Sequence, residues 1–184
     1  MYNYRKRFFY PIHVDKPDPE LAQILLEHYG GKDGELTQIV QYLNHQVNIE
    51  NRYIRELLGL ITAEELAHYE TLGAMIIKLG GDLHRLRNTQ GALWSINYVV
   101  PFTDVKRLLK ANAALEKRSR LLYEHHASLT EDPGVKRLLN FLARREGIHQ
   151  KLLYRCYKLL VEDGQNEQFM EIIYDYKMSL QVLE

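Results

Sequence analysis

Two Glu-x-x-His pairs, Glu65-Leu66-Ala67-His68 and Glu146-Gly147-Ile148-His149, each follow a lone glutamate, Glu35 and Glu116, by thirty residues. On a helix, residues three apart share a face, so each pair aims a carboxylate and an imidazole at one point. Two such pairs with two single glutamates make up the ligand set by which four-helix bundles hold paired iron or manganese. The spacing carries the weight. With 16 Glu and 8 His in 184 residues, random placement gives about 0.7 such pairs (8 × 16/184), so two pairs alone mean little. In an antiparallel hairpin, residues at one height lie equally far from the turn, which predicts turns near Glu50 and Glu131. Thr130-Glu131-Asp132-Pro133-Gly134 fits the second, with Pro at the first helical position behind an Asp cap. Asn48-Ile49-Glu50-Asn51 suits a short connection at the first.

Ile54, Leu58, Ile61, Glu65, His68, Leu72, Met75 and Leu79 follow steps of four and three, the seam of a packed bundle helix. Shifted by 81 residues, the stripe returns as Val135, Leu139, Leu142, Glu146, His149, Leu153, Cys156 and Leu160. The same offset maps Glu35 onto Glu116 and Tyr42 onto Tyr123, so each lone glutamate has a tyrosine seven residues later on its own face. The chain is an internal repeat of two hairpins about a pseudo-two-fold axis. Residues up to about 17 read as an extended arm, since Phe8, Tyr10, Ile12 and Val14 alternate and prolines interrupt. A short helix runs from Pro19 to about Tyr29. The Gly30-Gly31-Lys32-Asp33-Gly34 break then places Glu35 in the first turn of its helix. The second bundle helix spans about 51 to 79, the third begins near Phe102-Thr103-Asp104, and the fourth ends near Asp163-Gly164. Between Gly80-Gly81 and Pro101 the periodicity lapses over a length that suits one long crossover, as in ferritin-like topologies. Phe169, Ile172, Ile173, Tyr176, Leu180 and Leu183 form a last amphipathic stretch that packs on the bundle or on a neighbouring subunit. The expected fold is all-α: one ferritin-like dimetal-carboxylate domain over residues 1–184, a four-helix bundle with one long crossover, an N-terminal arm and a C-terminal helix.

Four carboxylates taken out of water each cost several kcal/mol unless they are neutralised. Two divalent cations balance four negative charges while both imidazoles stay neutral, as metal ligands must. Oxygen-rich ligation with one nitrogen per metal favours iron or manganese over structural zinc. The competing interpretation is a hydrogen-bonded Glu/His network without metal. Tyr42 and Tyr123 are either amphipathic core or hydroxyl donors to the ligand carboxylates.

Lysine plus arginine equal aspartate plus glutamate at 24 each, so no broad basic field invites nucleic acid or an anionic membrane. The single cysteine, Cys156, lies on the fourth-helix seam as a small apolar residue, and no disulfide framework exists. Residues 1–11 carry basic side chains but no apolar signal core, and no segment reaches membrane-spanning length. A cytoplasmic location is expected. His125-His126 sits at a helix end, where polar or positive groups are favoured, and His13, His28 and His84 read as surface or packing residues. His45 and His126 match under the 81-residue offset, yet each lies about 15 Å along the axis from its glutamate, too far for ligation.

Tyr10-Pro11, Tyr29-Gly30-Gly31-Lys32-Asp33-Gly34-Glu35-Leu36, Tyr42-Leu43-Asn44, Glu64-Glu65-Leu66-Ala67-His68 and Pro101-Phe102-Thr103, in that order, resemble the manganese catalase family. The likeness is greatest to its short spore-coat branch, coat protein J component C, and covers nearly the whole chain. It implies two manganese ions per chain with iron as the alternative, hydrogen peroxide as substrate, and a homo-oligomer. The metal ligands implied are Glu35, Glu65, His68, Glu116 and His149. Glu146, a ligand in di-iron relatives, is in manganese catalases the proton acceptor and donor for peroxide, and Tyr42 matches a tyrosine that hydrogen-bonds the first-helix glutamate. One position departs: where well-studied catalases have an arginine before the third-helix glutamate to hold the catalytic one, this chain has Leu115, with Arg118, Arg144 and Arg145 as candidates to replace it. Two other functions stay open. The chain is alternatively a structural component assembled into a spore coat, docking on other coat proteins through its aromatic arm, or a di-iron peroxidase or ferroxidase. The lack of any Cys-x-x-Cys site weighs against the rubrerythrin form of the last.

Overall fold

The computed structural model describes residues 11–181. Six α-helices follow one another: α1 (Pro19–Gly30), α2 (Glu35–Gln46), α3 (Arg52–Lys78), α4 (Val105–Ser128), α5 (Pro133–Val161) and α6 (Asn166–Ser179). A short 3₁₀ turn, Ile96–Tyr98, interrupts the crossover. Both expected hairpin turns are present, between α2 and α3 and between α4 and α5. Asp132 caps the second as the sequence suggests, and Asn51 caps the first, because a helix start leaves backbone N–H groups without intrahelical partners. Asn51 accepts from the Tyr53 and Ile54 amides at 2.9 and 3.2 Å, and Asp132 from Gly134 and Val135 at 2.8 and 3.0 Å, with Pro133 behind it.

Helices α2 to α5 form the bundle, with α1 packed on α3 and α2, and α6 packed on α3 and α5. The interior is layered. Leu57, Leu58, Ile61, Leu109, Leu153 and Cys156 make one apolar core, which α6 closes with Phe169, Ile172, Ile173 and Tyr176. Leu72, Met75, Leu79, Leu139 and Leu142 make another, which α1 closes with Leu21, Leu25 and Leu26. Each fully buried Leu or Ile contributes roughly 1.5–3 kcal/mol of transfer free energy, so the two cores anchor the bundle above and below the polar positions at Glu65, His68, Glu146 and His149. Every residue of the first stripe is buried, and every residue of the second except Leu160, which is partly covered. Of the two packing modes expected for α6, the one on its own bundle is found; Leu183 lies outside the described residues.

The crossover is stitched down by polar side chains. Trp94 Nε1 donates to Thr37 Oγ1 at 2.9 Å, Gln23 Nε2 to the Thr89 carbonyl at 2.6 Å, and the Val100 amide to Gln41 Oε1 at 3.0 Å. It touches α1 so closely that a Cβ at Gly30 would fall 2.7 Å from the Arg87 carbonyl oxygen. Gly91 turns the crossover at φ 84, which favours glycine. From the arm, Ile12 and Val14 pack against the α1 side of the core and the Asp15 amide donates to Asp132 Oδ2 at 2.7 Å; Phe8 and Tyr10 lie outside the described residues. No described helix is long and apolar enough to cross a membrane.

Candidate metal centre

The structure brings all six sequence-predicted metal residues together, each with no exposed surface. Two overlapping donor groups result: Glu35, Glu65, His68 and Glu146 in one, and Glu65, Glu116, Glu146 and His149 in the other, each with ligand atoms within 4.8 Å of one another. Glu65 and Glu146 belong to both groups. His68 Nδ1 lies 2.7 Å from Glu65 Oε2 and 3.3 Å from Glu146 Oε1, while His149 Nδ1 lies 2.6 Å from Glu65 Oε1.

The donor set fits divalent ions by its own hydrogen bonding. Glu35 Oε2, Glu116 Oε2 and Glu146 Oε1 are all buried with no hydrogen-bond partner. Leaving one orphaned acceptor on each of three carboxylates costs about 1–3 kcal/mol apiece or more, which coordination would remove. Burial, with the Glu146 and Glu65 charges, holds Glu35 and Glu116 well above the usual carboxylate range. Burial alone would also raise Glu65, but the facing His149 and His68 imidazoles outweigh it and hold that carboxyl at about 2. Against burial, Glu65 and the other surrounding carboxylates raise both imidazoles well above the ordinary histidine value. The metal-free cluster is thus a store of protons that incoming cations must displace.

Around the donors the sequence-based picture needs correction at Tyr42. Tyr42 does not bond the glutamate of its own helix. Its hydroxyl donates to Glu116 Oε1, and Tyr123 donates reciprocally to Glu35 Oε1. Seven residues span about 10.5 Å along a helix, beyond any direct hydrogen bond, whereas the antiparallel opposition of α2 and α4 brings each tyrosine level with the other's glutamate. Tyr123 is also stacked on buried His28, with ring centroids 3.6 Å apart, and His28 Nε2 meets His126 Nδ1 at 2.9 Å. His28 is a packing residue as expected; His13 and His84 are exposed. His45 serves the crossover, bonding Asn112 Oδ1 and the Val100 carbonyl at 3.0 and 2.8 Å.

None of the three arginines proposed to replace the missing one bonds Glu146. Arg118 forks onto Asp33 at 2.8 and 2.9 Å, Arg144 is exposed, and fully buried Arg145 bonds Glu64 and Ser179. Gln38 takes the position instead, its Nε2 donating to Glu146 Oε2 at 3.2 Å. It lies three residues after Glu35 on the same helical face, which is the signal that would have found it. Glu64 was also missed: a carboxylate beside a ligand reads as exposed, yet it is buried and accepts from His149 Nε2 at 3.0 Å. Burial alone would raise Glu64, but His149, His68 and Arg145 hold it well below the carboxylate range.

Comparison with known proteins sets this geometry in context. The family model described as "Manganese containing catalase" matches residues 1–85 and 80–170. Protein CotJC of Bacillus subtilis (strain 168) is 33% identical over 89% of this chain and 96% of its own length. A probable manganese catalase of Clostridium acetobutylicum is 28% identical over 86% of this chain and 79% of its own. Among solved structures, KatB, a manganese catalase from Anabaena PCC7120, superposes with a TM-score of 0.81 at 29% identity, covering 87% of this chain and 81% of that one.

Proposed function

The chain belongs to the manganese-containing catalase family, and from that premise we propose that it disproportionates hydrogen peroxide, with Glu35, Glu65, His68, Glu116 and His149 holding two manganese ions and Glu146 beside them as the proton carrier. The observation that carries this is the pair of donor groups sharing Glu65 and Glu146 in a sealed interior. When bound, manganese supplies the two-electron change: one peroxide gives up two electrons and two protons and leaves as dioxygen, and a second receives them and leaves as two waters. Glu146 accepts and returns the protons, a role worth about 10²–10⁴ in rate for a well-placed carboxylate. Gln38 holds it from one side, while Tyr42 and Tyr123 fix Glu116 and Glu35 through their hydroxyls, leaving the other oxygens free for the ions. The apolar cores on both sides exclude bulk water and strengthen every charge interaction between them.

The decisive experiment purifies the full chain with manganese, counts metal per chain and measures oxygen release from peroxide. Two metals with oxygen release is the expected result; two metals without it reduces the centre to binding or storage. Iron is the alternative occupant, since the donor set suits both metals, and a di-iron peroxidase would consume peroxide without releasing oxygen. The likeness to Protein CotJC supports a second place for the chain, as a homo-oligomer assembled into a spore coat with other coat proteins. Removing residues 1–14 is expected to abolish that assembly and spare metal content; unchanged assembly counts against it.

A further inference from the structure

Beside the two imidazoles lies a charge pair that peroxide chemistry leaves unused. Glu64 and Arg145 occupy equivalent positions of the two halves, 81 residues apart, yet one is an anion and the other a cation, and they bond to each other. The Glu64 carboxylate accepts twice from Arg145, once from His149 Nε2 at 3.0 Å and once from the Tyr176 hydroxyl at 2.9 Å. Arg145 is tied in turn to the Ser179 hydroxyl and carbonyl at 3.2 and 3.1 Å. Tyr176 and Ser179 both come from α6, so the last helix reaches the surroundings of the centre as well as covering a core.

A carboxylate only accepts, so His149 must carry a hydrogen on Nε2, which leaves Nδ1, facing Glu65 and Glu116, as the nitrogen able to bind an ion. His68 receives no such bond. Its Nε2 stands 3.5 Å from Glu64 Oε1 with no hydrogen-bond partner, because the equivalent position in the other half is Arg145, which has only donors. We propose that Glu64, clamped by Arg145 and Tyr176, is the positioning residue for His149 and makes the two halves of the centre unequal, the His149 half being the tighter manganese site. Carboxylates that accept from a ligating imidazole orient the ring and raise its basicity, and their removal costs about 10–100-fold in metal affinity. The inference rests on the metal-binding role proposed above.

The test titrates Mn(II) into the metal-free full chain and follows the magnetic-resonance signal of the free ion. The wild type is expected to bind in two steps of unequal affinity, with His149→Ala abolishing the tighter and His68→Ala the weaker. Glu64→Gln combined with Arg145→Met removes the pair together, so that no buried cation is stranded. That variant is expected to weaken the tighter step about 10–100-fold while leaving the weaker one unchanged. Tyr176→Phe, which keeps its shape, weakens the same step by less. Equal steps in the wild type, or losses spread over both steps in the variants, overturn the inference; so does unchanged binding in Tyr176→Phe should the double variant not fold. A wild type that takes up no manganese sinks the metal centre itself, whereas two ions bound with unaffected variants sinks only the inequality.

Discussion

The two halves of the bundle carry the same buried Glu and His donors on differently built helices. In the second half, α4 runs 24 residues without a break and Glu116 sits in its middle. In the first half, the matching stretch is divided into α1 and α2, 12 residues each, and Glu35 opens α2. The division gives the first half an Asp33 that accepts twice from Arg118 of α4 and a Thr37 hydroxyl that closes the break by donating to the Gly31 carbonyl at 3.0 Å. Yet the carboxylates arrive at equivalent places, each met by the tyrosine of the opposite helix. Position in the layered core, then, outranks continuity of the local helix.

Substitutions in matched pairs sharpen or break that equivalence. The largest effect is expected where the halves share a residue: Glu65→Ala removes a donor from both groups, so elemental analysis should find metal lost from both and oxygen release abolished. Retention of one full-strength ion would mean that the groups do not overlap as their geometry implies. Glu146→Gln keeps the volume and removes the proton acceptor, and should lower the rate of oxygen release by about 10²–10⁴. Acidity acts on both halves together. Glu35 and Glu116 are raised well above the carboxylate range, and His68 and His149 above theirs, so the metal-free centre holds protons where free groups would have lost them. Manganese binding therefore releases protons, and affinity falls with falling pH by about tenfold per unit for each proton displaced. Isothermal titration in buffers of different ionisation heat reads this directly; pH-independent affinity would contradict it.

Tyr42→Phe and Tyr123→Phe probe the crossed hydrogen bonds. Each should weaken manganese binding by about tenfold, the scale of losing one hydrogen bond to a charged ligand. Similar losses support the two-fold relation, and a loss at Tyr42 alone would mark Tyr123 as simple packing against His28. The smallest effect belongs to the first half only. Trp94→Phe removes the bond from the crossover to Thr37 and should cost about 0.5–1.5 kcal/mol in urea denaturation, with metal content unchanged.

What one chain position implies for its helical neighbours is legible in the amino-acid sequence itself. The 81-residue repeat, the heptad stripes, the cap at Asp132 and the six donor residues were all readable from residue type and spacing along the chain, because helical geometry is set locally by the backbone. What lies across the bundle was decided by tertiary packing alone. Sequence offset pairs Tyr42 with Glu35, but helix direction pairs it with Glu116. Sequence adjacency makes Glu64 look like a solvated neighbour of Glu65, yet the arrival of α6 buries it against Arg145, Tyr176 and His149. Such contacts join residues more than seventy positions apart, and no local periodicity encodes which of two like-spaced partners a side chain will meet. Only the relative height and direction of packed helices decides that.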